Sequence, residues 1–124
     1  TYTSRYMVKF SIKKTAIIIN FEGYKKFLAL KNNLRIPLSS VKSVSTTPVK
    51  WLVFTPKAGT NFPGLIMAGT FFRREGITFY YVRDLKKCIT LSLQNHRYCK
   101  VVIQVDQKEE IALQIRRAVK EFQN

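Results

Sequence analysis

The first residues to ask for chemistry are the single histidine, the two cysteines and the seven carboxylates of this 124-residue chain. His96 stands between Asn95 and Arg97 in a stretch that reads as a turn, with no acid close in sequence to orient it. A general base or metal ligand needs such a partner, so His96 is expected to be a solvated loop residue. Glu75 and Asp84 fall in turns at opposite ends of one expected hairpin, too far apart to work as a carboxylate pair. Cys88 and Cys99 form neither a CxxC nor a Cys/His cluster of zinc spacing. Pairing across a turn centred near Asn95 would set Cys88 opposite Val102, so free buried thiols are expected rather than a disulfide. Gly59 and Gly64 lack the Lys and helix that follow a phosphate-binding loop. The expectation is therefore no catalytic residue, no metal, no cofactor and no enzyme.

Charge is the extreme property. Lys and Arg number 22 against 7 Asp and Glu, a formal net charge of +15. Residues 1–105 carry 18 of the bases and only Glu22, Glu75 and Asp84 as acids, whereas residues 106–124 carry four of each sign. The excess is thus assigned to the β portion and not to the final helix. Such a field concentrates anionic partners, whether nucleic acid, acidic protein or an anionic lipid face.

The elements that hold these residues follow from periodicity. With 46% hydrophobic residues the chain is long enough for one core and short for two, so residues 1–124 are read as a single domain. Apolar stretches such as Ala16 to Ile19 and Leu65 to Ala68 fall far short of the roughly 20 residues of a membrane-spanning helix. The opening at Thr1, without an initiator Met or a basic-then-apolar leader, is what a mature or excised piece would have. Two cysteines are too few for a secreted disulfide scaffold, which favours a reducing, cytoplasmic setting, with association at the cytoplasmic membrane face left open.

Val8, Phe10 and Ile12 alternate with Lys9, Ser11 and Lys13, and Lys14-Thr15 reverses the chain into Ala16 to Phe21, so residues 1–21 read as a hairpin. Glu22 to Lys31 has the spacing of a short helix. Leu34 to Leu38 is extended, with Pro37 restricting it to an edge or strand end. Ser39-Ser40 marks a bend before a strand at Val41 to Ser45. Thr46 to Gly64 holds three of the four prolines and two of the five glycines, and is read as one long irregular region suited to a ligand or partner. Trp51, Phe54 and Phe62 are its candidate contact residues. Leu65–Phe72, Ile77–Arg83, Cys88–Leu93 and Lys100–Val105 are four strands whose short polar connections predict an antiparallel meander with one wet face. Asp106 and Glu109 make a near capping box. The helix behind it runs to about Phe122, with Ile111, Ala112, Ile115, Ala118, Val119 and Phe122 on one stripe.

Strands in an up-and-down series closed by one C-terminal amphipathic helix resemble the plan of a pleckstrin-homology-like domain. The segments Leu34 to Val41, Gly59 to Ile66, Ala68 to Phe72, and Arg97-Tyr98 with Val101 to Asp106 look like those of a bacterial pleckstrin-homology-like family of mostly uncharacterised proteins. The resemblance covers residues 5 to 120 and implies a strongly bent antiparallel sheet, or partly open barrel, of about seven strands capped by the helix. Gly64 and Gly69 would allow the bending. In lipid-binding relatives, phosphate contacts come from the first hairpin, and the matching positions are Lys9, Lys13 and Lys14. The second strand, Ala16 to Phe21, has none of the expected Arg, which argues against specific phosphoinositide recognition.

In a meander alternate turns fall at the same end, so Arg73 and Arg74 are expected near Arg97, and Lys86 and Lys87 at the opposite end. Two basic rims result. Of Phe79, Tyr80 and Tyr81, alternation sends Tyr80 or its neighbours to the outer face, where exposed rings can stack bases. The expected function is a non-catalytic binding or scaffolding module that docks an anionic membrane surface or an acidic protein partner through Lys9, Lys13, Lys14, Arg73, Arg74, Lys86, Lys87 and Arg97. Two alternatives stand beside it. One is a structural or regulatory interaction domain of a larger assembly using the Thr46 to Gly64 region. The other is nucleic-acid binding, which the charge permits without a supporting motif.

Overall fold

The computed structural model of the chain describes residues 2–3, 8–21, 33–48, 58–62, 66–82 and 84–123. A first sheet takes β1 (Tyr2–Thr3), β2 (Val8–Ile12), β3 (Ala16–Phe21) and β4 (Asn33–Pro37) in sequence order, all antiparallel. Alternation decides which side faces inward. Register puts Phe10, Ile19 and Leu34 in one cross-strand row and Ile12, Ile17 and Ile36 in the next, while Ser11, Ile18 and Arg35 share the outer side. Pro37 ends the edge strand, where its missing N–H leaves no gap in the ladder. The predicted hairpin is present, and Lys13 N–H closes its turn on the Ala16 carbonyl at 2.8 Å. The expected helix at Glu22 to Lys31 lies outside the described residues, as do Trp51 and Phe54.

After β4 a single 3-10 turn, Leu38–Ser40, carries the chain from the first sheet into the second. The second sheet contains β5 (Val41–Ser45), β6 (Ala58–Phe62), β7 (Ile66–Arg73), β8 (Gly76–Val82), β9 (Cys88–Leu93) and β10 (Lys100–Gln104). Its order is β5-β9-β10-β8-β7-β6. The predicted meander is therefore wrong at one step: β10 enters between β8 and β9 and runs parallel to β8. The physical reason is two-sided burial. Phe79, Tyr80, Tyr81 and Val82 of β8 and Val101, Val102 and Ile103 of β10 are all buried, whereas β9 alternates. Strands apolar on both sides take the middle of a sheet. The expectation of one wet face thus fails for β8 and β10.

Two clusters result. The larger joins Phe10, Ile17, Ile19 and Ile36 of the first sheet to Phe79, Tyr81, Ile89, Leu91, Val101 and Ile103 of the second. The smaller, on the opposite face of the second sheet, gathers Phe71, Tyr80, Val82, Cys88 and Val102. Tyr80 does point away from Phe79 and Tyr81, as alternation requires, but it is buried edge-on against Phe71 with ring centroids 5.2 Å apart. Gly69, opposite Tyr80 in register, has φ +128°, a conformation L side chains rarely adopt, and marks an irregular point in β7.

Three further expectations change. Ala58–Phe62, read as part of the long irregular region, is an edge strand paired with β7; its Gly59 and Asn61 hid the pairing because Gly and Asn are depleted in strands. Among the described residues, ten strands in two sheets replace about seven in one bent sheet. Cys88 lies opposite Gln104 rather than Val102, because the turn is centred on His96; neither cysteine is in a disulfide, and Cys88 is buried and Cys99 half-buried. The mostly β plan with one C-terminal helix, α1 (Lys108–Gln123), holds. Gln107 rather than Asp106 supplies the carbonyl that accepts the Ile111 N–H, one residue beyond the capping box read from the sequence.

The connection from β8 to β9 must pass the end of β10, and it is stitched there. Asp84 N–H donates to the side-chain oxygen of the buried Gln104 at 2.9 Å, and Val105 N–H donates to the Lys87 carbonyl at 2.9 Å. Removing the Gln104 acceptor leaves a buried donor without it. Gln104→Leu is expected to lower the unfolding free energy by about 1–3 kcal/mol in urea denaturation. Gln94→Leu, at an exposed position, should change it by no more than roughly 0.5 kcal/mol.

Candidate functional site

The arrangement of charge follows from how α1 lies on β5. Lys108 Nζ donates to the carbonyls of Thr46 at 2.9 Å and Lys86 at 2.8 Å, anchoring the start of the helix beside the far end of β5. Two turns later Arg116 donates to the Val44 carbonyl at 2.8 Å. The helix therefore runs antiparallel to β5, back toward the corner where the chain passes between the sheets. Its apolar stripe is fully buried at Ile111, Ala112 and Ile115, partly buried at Ala118 and Val119, and 42% exposed at Phe122. The expected stripe is real, but its C-terminal end leaves the core.

That emerging half of α1 is flanked by two grooves. On one side, Val41, Lys42, Ser43 and Val44 of β5 face Arg116, Val119, Lys120 and Gln123 across a space of about 350 Å³. On the other, Lys13 and Lys14 of the β2–β3 turn face Ala118, Glu121 and Phe122 across about 290 Å³. The Lys13-Lys14 turn is held in position because Leu38 N–H donates to the Thr15 carbonyl at 2.9 Å. Lys13, Lys14, Lys42, Arg116, Arg117 and Lys120 are all exposed. Among the described residues the ion pair is Lys100 with Glu75, at 4.0 Å, and none of these six pairs with a described carboxylate.

Among the described residues, charge is uneven between the two ends of α1. The end at which α1 starts carries Lys86, Lys87 and Lys108, but also Asp84, Asp106, Glu109 and Glu110. Asp84 accepts the Lys86 N–H at 3.0 Å. The basic rim expected at Lys86 and Lys87 is thus balanced by acids among the described residues. At the opposite end of the second sheet, Arg74 is exposed in the β7–β8 turn and Arg97 in the β9–β10 loop, so these two do share an end. Arg97 is engaged over the Tyr98 ring, 5.1 Å from its centroid. Lys9 lies in β2, Arg73 in β7 and Phe62 in β6.

Lys42, Arg116, Arg117 and Lys120 were not among the candidates from sequence. The net neutrality of residues 106–124 conceals a helix with acids in its first turn and bases in its second half, the order that complements the helix dipole. That order was the available signal.

His96 has a structural role. Tyr98 N–H donates to its Nδ1 at 3.1 Å, which leaves the proton on Nε2, 3.3 Å from the Arg35 carbonyl of β4. The ring so ties the β9–β10 loop of one sheet to the edge of the other. Asn95, with φ +53°, sets the loop's reversal. At the neighbouring turn, Gly76 has φ +135°, and a Cβ there would meet Cys99 Sγ at 3.2 Å.

Among the described residues no cluster of His, Cys, Asp and Glu could hold a metal ion, and no helix is long and apolar enough to cross a membrane. Comparison of the chain with family models, with curated proteins and with solved structures finds no match.

His96→Ala should cost about 1–2 kcal/mol of stability in urea denaturation, from loss of the Tyr98 and Arg35 contacts. Affinity of the folded variant for a polyanion such as heparin should stay within about two-fold of the parent, because the basic grooves do not contain His96.

Proposed function

We propose that the chain is a non-catalytic binding module of pleckstrin-homology-like type, which docks an anionic membrane face or an acidic protein partner on the cytoplasmic side. Support for the fold type comes from two sheets around one core with a single C-terminal helix at their open corner; the parallel β8–β10 pair departs from a simple up-and-down series. The observation that carries the function is the grouping of Lys13, Lys14, Lys42, Arg116 and Lys120 in the two grooves beside the emerging half of α1, with exposed Arg117 on the same half and Glu121 the one acid among the described lining residues. Attraction of a basic residue to an anionic leaflet is worth about 1 kcal/mol each, so four or five acting together suffice for peripheral binding. The half-exposed Phe122 beside Lys13 and Lys14 adds apolar contact. Nucleic-acid binding by stacking is less well supported, because Phe79, Tyr80 and Tyr81 are buried.

Binding should depend on salt and on where cations are removed. In sedimentation with phosphatidylcholine vesicles, with and without phosphatidylserine, and in retention on immobilised polyglutamate, at least one anionic support should be preferred over neutral lipid. That preference should weaken as ionic strength rises. Lys13→Glu with Lys14→Glu should reduce it roughly ten-fold, and Lys86→Glu with Lys87→Glu by less than about two-fold. Equal binding to neutral and anionic supports, or equal loss from both pairs, would contradict the assignment.

A further inference from the structure

We infer that the groove between β5 and the second half of α1 is the seat of an acidic peptide segment from a protein partner. Its carboxylates would meet Lys42, Arg116 and Lys120, and an apolar side chain would rest on Val41, Val44 and Val119. This rests on the anionic-partner reading and names the partner class and its site.

The two grooves beside α1 differ in a decisive way. The one next to Lys13 and Lys14 includes Glu121, which repels an acidic chain. The one next to β5 has, among the described residues, three cations, three valines, Ser43 and Gln123, and no carboxylate. A lining of mixed apolar and cationic groups matches a peptide in which acidic and apolar side chains alternate. It is a poor match for a polynucleotide, since it offers no aromatic ring for a base. At about 350 Å³ the groove is concave and takes one or two side chains, whereas a flat bilayer face would meet only its rims. Arg116 spends one nitrogen on the Val44 carbonyl, which fixes the guanidinium and leaves its remaining donors to face a carboxylate.

The same contacts decide how the segment lies. β5 is an edge strand, and edges invite an added strand. Here Arg116 and Lys108 already occupy the carbonyls of Val44 and Thr46, and the ladder to β9 shifts register between Val41 and Ser43, so that Lys42 bulges out of it. A bulged, capped edge does not present the regular repeat that strand addition requires. Recognition is therefore through side chains, and an all-polar acidic chain should bind less well than one with apolar residues between its acids.

The test uses the whole chain and a short fluorescein-labelled peptide in which glutamates flank a pair of leucines, beside its glutamine counterpart and phosphatidylserine vesicles. Anisotropy should report binding of the glutamate peptide and at least about ten-fold weaker binding of the glutamine one. Lys42→Glu with Lys120→Glu, both at exposed positions, should weaken the glutamate peptide at least about ten-fold, with circular dichroism unchanged. Amide shifts on peptide addition should centre on residues 41–44 and 116–123. If the peptide binds but is unaffected by that pair and lost with Lys13→Glu and Lys14→Glu, this inference fails and the broader reading stands. Binding to the vesicles without binding to the peptide would also overturn it. If neither probe binds at low salt, both readings fail together.

Discussion

α1 is longer than the core it closes, and much of the molecule depends on that mismatch. Ile111, Ala112 and Ile115 are fully buried, and burying two isoleucines and an alanine is worth roughly 4–6 kcal/mol. That is a large share of the 5–15 kcal/mol by which domains are usually stable. The first half of the helix is therefore committed to the fold. The second half inherits its direction from the first and packs only in part, through Ala118 and Val119, so that it carries Arg116, Arg117, Lys120 and Phe122 at the surface.

The sheet that receives the helix has its own constraint. β8 and β10 are apolar on both sides and can be satisfied only in the middle of a sheet, so β9, which alternates, is displaced toward β5. This brings β5 to the edge, where the helix reaches its carbonyls with Arg116 and Lys108. A plain meander would have paired β9 with β8. The interleaving of one strand thus determines which strand forms the wall of the basic groove.

Much of this was legible in the residues. Period-two alternation located β2, β5 and β9, apolar runs bounded by turns located β3, β4, β7, β8 and β10 within a residue or two, and the spacing of Ile111, Ala112 and Ile115 identified the helix face. Strand order was less accessible, because short polar connections are compatible with both a hairpin and a crossing at the end of a third strand. The unbroken run Val101-Val102-Ile103 against the alternation of Ile89 to Leu93 was the sign, since one demands cover on two sides and the other on one. β6 was hidden by its Gly59 and Asn61. The basic groove was hidden by averaging: four acids and four bases cancel in residues 106–124, yet Asp106, Glu109 and Glu110 outnumber Lys108 at the start of the helix, pinned beside Lys86, and Arg116, Arg117 and Lys120 outnumber Glu121 in the half that lies beside Lys13, Lys14 and Lys42.

The central claim is that, among the described residues, positive charge without a carboxylate partner is concentrated around the emerging half of α1 and balanced at its start. A direct measurement is the site-resolved paramagnetic relaxation of backbone amides by a small anionic metal complex, compared with that by a neutral one of similar size. The ratio should peak at residues 13–14, 42–44 and 116–123, be low at residues 84–87 and 106–110, and flatten as salt is added. A uniform ratio over the surface, or a maximum at residues 84–87, would contradict the account.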